Sequence, residues 1–156
     1  MKYSRENRHP MLADYGPQYR YEVGDKYDPA LSTKEIAVRI RADIKQAIKV
    51  VALPPGKYSV KYRSFAGGTS IDVSVSDLHK DFRALTLGAS GRVEPSTPGK
   101  WVMEALRRIV ESYNYDRCDS MTDFFSVNFY SSVAFDWDWT DMERKVLEEI
   151  QDRETA

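Results

Sequence analysis

Between residues 57 and 75 the chain alternates apolar and polar residues twice, with glycines at the join. In the first stretch Tyr58, Val60 and Tyr62 fall on one side, and Ser59, Lys61 and Arg63 on the other. In residues 69–75, Ile71, Val73 and Val75 oppose Ser70, Asp72 and Ser74. A two-residue period belongs to a strand with one buried face, because successive side chains leave a pleated backbone on opposite sides. The link Ala66-Gly67-Gly68 is short enough to demand a hairpin, and glycine supplies the positive φ that tight hairpin turns use. The apolar side of such a hairpin needs a second layer to cover it.

Two helices offer that cover. Over residues 33–50, Ile36, Ile40, Ile44, Ala47 and Ile48 recur at helical spacing, while Lys34, Arg39, Arg41, Lys45 and Lys49 lie off the stripe. Ser32 and Glu35 have the spacing of a capping box, and Pro54-Pro55-Gly56 predicts the end of the element. A second helix is expected over 99–113, entered through Thr97 as N-cap and Pro98. Its apolar face is read as Trp101, Val102, Ala105, Leu106, Ile109 and Val110.

The rest of the chain is less regular. Residues 1–31 read as a partly ordered N-terminal arm, with a weak edge strand near Tyr19–Val23, followed by one domain over 32–156. Leu78, Phe82, Leu85 and Leu87 suggest a short irregular helix and an extended piece, and residues 88–99 a mobile loop. Residues 124–135 alternate again, with Phe125, Val127, Phe129, Ser131, Val133 and Phe135 on one side. Thr140 and Glu143 have the spacing of a second capping box, before a last helix over 141–153 that carries Met142, Val146, Leu147 and Ile150. The expected fold is therefore α+β: a two-layer sandwich whose antiparallel sheet contains a central β-hairpin and the 124–135 strand. Two helices cover one face, and a C-terminal helix follows.

Composition bounds the function. A chain of 156 residues with net charge −1 can bury a core of its own, and its charge does not suggest a bulk polyelectrolyte partner. No apolar run approaches the ~18 residues that span a membrane. The charged N-terminus lacks a signal-peptide core, and a lone cysteine, Cys118, suits a reducing compartment. The expectation is a cytoplasmic protein with no membrane partner.

No chemical motif stands out above its structural alternative. Asp77, His79 and Asp81 offer metal-ligand types at close spacing, but also read as a polar loop or a helix start with Asp77 as cap. Cys118 lies beside Arg117, but between Asp116 and Asp119 and with no histidine directed at it. Asp116, Asp119, Asp123, Asp136, Asp138 and Asp141 surround the last strand at positions where aspartate commonly caps turns. Gly67-Gly68 is followed by a strand, so it is not a phosphate loop. The remaining candidate is a binding face: Lys57, Ser59, Lys61, Arg63, Ser70, Asp72 and Ser74 on the hairpin's polar side, with tyrosines and arginines in the arm. Such groups hold phosphates and bases, and are equally enriched in protein interfaces.

Two stretches together resemble a large polyvalent protein-associated domain family. Residues 57–75, KYSVKYRSFAGGTSIDVSV, are similar to the family's hairpin, in which a Ser-Val strand, a Gly-Gly turn and an Ile-x-Val strand follow a helix. Residues 113–135, YNYDRCDSMTDFFSVNFYSSVAF, are similar to a later segment in which Asn-Tyr-Asp and Ser-Asp-x-Met-x-Asp-aromatic-Phe lead into a strand. Cys118 stands where the family has serine, residues after Val75 lack its Trp-Thr-Asp-Gly-Pro turn, and 76–98 has no counterpart. The resemblance implies a protein of phages or conjugative elements, and supplies no catalytic residues.

The expected function is a small accessory protein of a mobile genetic element that binds another macromolecule, a host or element protein ahead of a nucleic acid, in one version to counter host defence. A non-enzymatic role is expected, with no cofactor and no bound metal, and a homodimer is a further expectation. The binding residues are read as Lys57, Lys61, Arg63, Phe65, Gly67, Gly68, Asp119, Asp123 and Phe124. The alternatives are a nucleic-acid binder using the basic hairpin face and the arm, and a metal-dependent hydrolase built on Asp119, Asp123 and His79.

Overall fold

The computed structural model describes residues 22–116 and 127–155. Its first helix, α1 (Thr33–Lys49), starts as the sequence predicts. The Glu35 amide donates to Ser32 Oγ, and Glu35 Oε2 accepts the Ser32 N–H at 2.8 Å. Ile36, Ile40 and Ile44 are buried along its inner stripe. The helix ends before the prolines, at a reverse turn. The Ala52 N–H reaches back to the Ala47 carbonyl and that of Val51 to Ile48, with Val51 at φ 61°.

The hairpin follows as β2 (Lys57–Phe65) and β3 (Gly68–Ser76), antiparallel and in register from Lys57↔Ser76 to Phe65↔Gly68. The turn is therefore only Ala66 and Gly67, and Gly67 carries the positive φ, 99°. Gly68 already belongs to β3. A Cβ there would lie 3.2 Å from the ring of Tyr130, so glycine lets that ring approach the strand.

Tyr130 opens β7 (Tyr130–Phe135), which pairs with β3. The sheet order is β2-β3-β7, so β3 is its centre and β2 an edge. Here the expected antiparallel sheet is corrected: β7 runs parallel to β3, with Ser70 opposite Tyr130 and Val75 opposite Phe135. Parallel neighbours require the chain to return to its starting end, and such a crossover needs a long connection. That connection contains α2 (Thr97–Glu111), which packs on β7 and on α1. Both helices lie on one face of the sheet, as expected. The core between the layers includes Val60, Ile71, Val73 and Val75 below, with Ile40, Leu106 and Val110 above.

α2 departs from expectation in two ways. Ser96, not Thr97, is its N-cap, accepting the Gly99 N–H. Trp101 does not join the core: it is 72% exposed, while Met103 is buried. At about 100° per residue, Trp101 stands about 140° round the helix from Leu106, whereas Met103 stands about 60° from it.

Residues 88–99 are not a featureless loop. β4 (Leu85–Leu87) and β5 (Val93–Pro95) form an antiparallel ribbon, and the preceding residues turn without forming a helix. Of the expected arm, residues 1–21 lie outside the described residues. β1 (Glu22–Val23) pairs with β6 (Tyr115–Asp116), and Val23 is buried. Gly24 makes this join possible, since a Cβ there would meet the carbonyl oxygens of Glu111 and Ser112 at 2.3 Å.

The last helix, α3 (Asp141–Thr155), starts where the sequence predicts. None of its residues is buried, and Met142, Val146 and Ile150 are exposed. It rests on the β4–β5 ribbon rather than on the main sheet. The second capping box does not form as expected. Thr140 Oγ1 donates to the Asp136 and Trp137 carbonyls, and Glu143 Oε2 accepts the Ala84 N–H instead. No helix among the described residues is long and apolar enough to cross a membrane.

Candidate functional site

One face of the three-stranded sheet carries the helices, and the other presents the polar sides of β2, β3 and β7. On this second face the strand registers bring Arg63 beside Ser70, and Ser70 beside Tyr130. Lys61 stands opposite Asp72, and Asp72 opposite Ser132.

Every residue from Lys61 to Phe65 is exposed, on both sides of β2. Apolar surface is exposed there as well: Phe65 is 43% and Tyr130 47% accessible. The two rings are 5.9 Å apart between centroids, and the Arg63 guanidinium lies 5.7 Å from the Phe65 ring centre. That separation is within the range in which a cation is attracted to an aromatic face. Arg63 Nε also donates to Ser70 Oγ at 3.1 Å, which ties the guanidinium to the neighbouring strand.

Asp72 accepts the Ser132 hydroxyl at 2.7 Å. Among the described residues no carboxylate lies within 4.0 Å of a side-chain nitrogen of Lys57, Lys61 or Arg63, so all three cations remain available to a partner. Arg63, Phe65, Gly67, Asp72 and Tyr130 border a shallow cleft of about 440 Å³. The arrangement can stack a flat group, form hydrogen bonds from the arginine and serines, and pair with an anion.

The structure therefore unites Arg63, Phe65, Gly67 and Gly68 in one place, with Lys61 and Lys57 further down the same strand face. Asp119, Asp123 and Phe124 lie outside the described residues, as does Cys118. Ser70 and Asp72, which the sequence places on the hairpin's polar side, belong to the site, and so does Tyr130, which was not among its expected residues. Tyr130 had a signal: an aromatic on the polar side of an alternating strand is out of pattern, and here it covers Gly68.

Of the metal candidates, Asp119 and Asp123 lie outside the described residues. His79 and Asp81 are highly exposed, their side chains 3.6 Å apart. Asp77 occupies a left-handed turn at φ 55°. Asp136 accepts the Trp139 N–H, and Asp141 pairs with Lys145 at 2.8 Å, both local roles at the start of α3. Among the described residues no three His, Cys, Asp or Glu side chains gather as a metal site would require. No family model matches this chain, and no curated protein or solved structure matches it.

Proposed function

We propose that this chain is a small non-enzymatic accessory protein that works by binding another macromolecule, a protein in the first instance, through the open sheet face at the hairpin tip. The observation that carries this reading is the Arg63–Phe65–Tyr130 cluster, exposed on a sheet face that neither α1 nor α2 covers. Aromatic and arginine side chains dominate the energetics of protein interfaces, because a ring buries a large area with few rotatable bonds to immobilise and a guanidinium presents a planar fork of hydrogen-bond donors. The assignment to a phage or conjugative element, to the cytoplasm and to countering host defence rests on the sequence resemblance and composition alone. A homodimer through the same face is compatible with this reading.

The test is affinity capture of host proteins with the full chain beside a Phe65→Ala/Tyr130→Ala variant. A partner retained by the first and lost by the second supports the proposal. Partners retained equally by both, or none at all, overturn it.

A second reading has its own observation. Lys57, Lys61 and Arg63 follow one another on a single strand face without carboxylate partners among the described residues, beside two exposed rings, an arrangement that suits a nucleic-acid strand. Its signature is an affinity that falls with salt, with a slope that loses about one unit for each phosphate-contacting cation removed. Absence of DNA and RNA binding at low salt rejects it.

A further inference from the structure

The main sheet ends at β2, and the outer edge of that strand is open towards the hairpin turn. In an antiparallel pair, successive residues alternately bond the partner strand and point their N–H and C=O away from it. Two contacts fix the phase of β2. The Val75 carbonyl accepts the Asp136 N–H, so the backbone of Val75 faces β7 and that of its partner Tyr58 faces away from β3. The Val60 carbonyl accepts Arg41 Nη2 from α1 at 2.6 Å. Tyr62 and Ser64 share this phase, so their N–H and C=O groups point outward. Among the described residues nothing pairs with these groups, and both residues are exposed.

The border of this edge is basic. Lys34, Val38, Arg41 and Lys45 are exposed and lie within about 60° of one another round α1. The Arg41 bond to Val60 sets that stripe beside the edge. Lys57, Lys61 and Arg63 project from the other face of β2 and are exposed as well. Among the described residues none of these cations has a carboxylate within 4.0 Å. The carboxylates of α1 and β3 are engaged elsewhere: Glu35 by the Ser32 N–H, Asp43 by Lys26 and Tyr113, and Asp72 by Ser132.

We propose that an extended acidic segment of a partner protein adds to the sheet as a strand along Tyr62 and Ser64. This rests on the protein-binding reading above and names the chemistry of the partner. A strand supplies what the edge lacks, N–H and C=O groups repeating at the spacing of those on β2. Acidic side chains at alternate positions of that strand stand beside Lys61 and Arg63, where opposite charges across strands are favourable. A second copy of β2 would set Lys61 and Arg63 against like charges, which is how basic edge residues discourage self-pairing. A nucleic-acid strand would meet the cations but has no repeating match for the backbone groups.

The probe is a heptapeptide of alternating glutamate and valine, blocked at both ends, titrated into the full chain and followed by NMR. The expected result is saturable shifts and slowed solvent exchange at the Tyr62 and Ser64 amides. The same peptide N-methylated at every residue keeps its charge but loses its donors, and binds about tenfold or more weakly. Its lysine counterpart gives no saturable shift. Ser64→Pro weakens binding by a similar factor, and proline is tolerated there because the Ser64 N–H is not part of the β2–β3 ladder. No saturable shift at millimolar peptide, equal binding of the methylated or lysine peptide, an unchanged affinity in Ser64→Pro, or protection of the same amides by oligouridylate each overturns the proposal. A host partner lost by Phe65→Ala/Tyr130→Ala but kept by Ser64→Pro overturns the added strand and leaves the broader reading standing. The expected peptide results without any such host partner support the added strand and remove the broader reading.

Discussion

The side chain of Asn114 pairs with the backbone of Phe129 as one strand residue pairs with another. Its Nδ2 donates to the Phe129 carbonyl at 2.9 Å, and its Oδ1 accepts the Phe129 N–H at 3.2 Å. Oδ1 also accepts the Tyr115 N–H. Asn114 and Phe129 are both buried, so these groups have no water to turn to. The contact ties the end of α2 to the segment that enters β7. Asn114→Ala is expected to cost about 1–3 kcal/mol for each buried group it orphans. Asn114→Asp keeps the acceptor but places a carboxylate oxygen against the Phe129 carbonyl, and should be no milder. Urea denaturation of the two variants measures this.

Val51 follows the end of α1 in a left-handed conformation that β-branched residues disfavour, and its side chain is almost fully exposed. It makes the backbone bonds of a helix stop that normally uses glycine. Val51→Gly should therefore stabilise the fold, by about 1 kcal/mol, since relief of the strain exceeds the entropy that glycine adds to the unfolded chain. A higher melting temperature in calorimetry is the expected outcome.

Two phenols, Tyr113 buried and Tyr58 half-buried, are expected to lower stability at alkaline pH. Burial pushes the Tyr58 hydroxyl up from 10.0 to about 12, and that hydroxyl donates to the Pro54 carbonyl at 2.6 Å. Tyr113 is raised further, first by burial and then by its hydrogen bond to Asp43. In the unfolded chain both ionise near their ordinary value, about 10. Above that pH the folded state binds more protons than the unfolded one, so stability falls as pH rises. The contribution is intact below pH 10, and for Tyr58 the loss continues to about 12. Denaturation series from pH 8 upward should show the decline, and Tyr58→Phe should make it shallower.

Arg144 lies over the indole of Trp137, its guanidinium carbon 3.3 Å from the ring centre, and donates to Thr140 Oγ1 at 2.7 Å. With no buried residue of its own, α3 depends on such contacts. Trp137→Ala removes an interaction worth about 0.5–2 kcal/mol. Hydrogen exchange should quicken across α3 while α1 stays protected, because the helix opens locally.

The exposed rings predict the reverse pattern for the sheet face. Phe65→Ala and Tyr130→Ala remove side chains that are only about half covered. Each should change stability by less than the 3–5 kcal/mol typical of a buried phenylalanine. Circular dichroism melts establish whether the binding variants are folded.

The hairpin and α1 were legible in the sequence because their determinants are local. A two-residue period identifies the buried side of each strand, and Ser32 and Glu35 mark the start of the helix. The same logic misassigned Trp101, where counting apolar residues replaced their angular position. Asp119, Asp123 and Phe124, expected at the site, fall outside the described residues.

The sequence by itself determined which side of β2 and β3 is apolar, and so that Lys61 and Arg63 must face away from the helices. Only the tertiary structure decided what stands beside them. Alternation states the side of a strand but not its neighbour or direction, and those depend on how the chain crosses over through α2. The crossover sets β7 parallel to β3 and lays Tyr130 across Gly68, against Phe65. That placement turns a polar strand face into a cluster of two rings and an arginine.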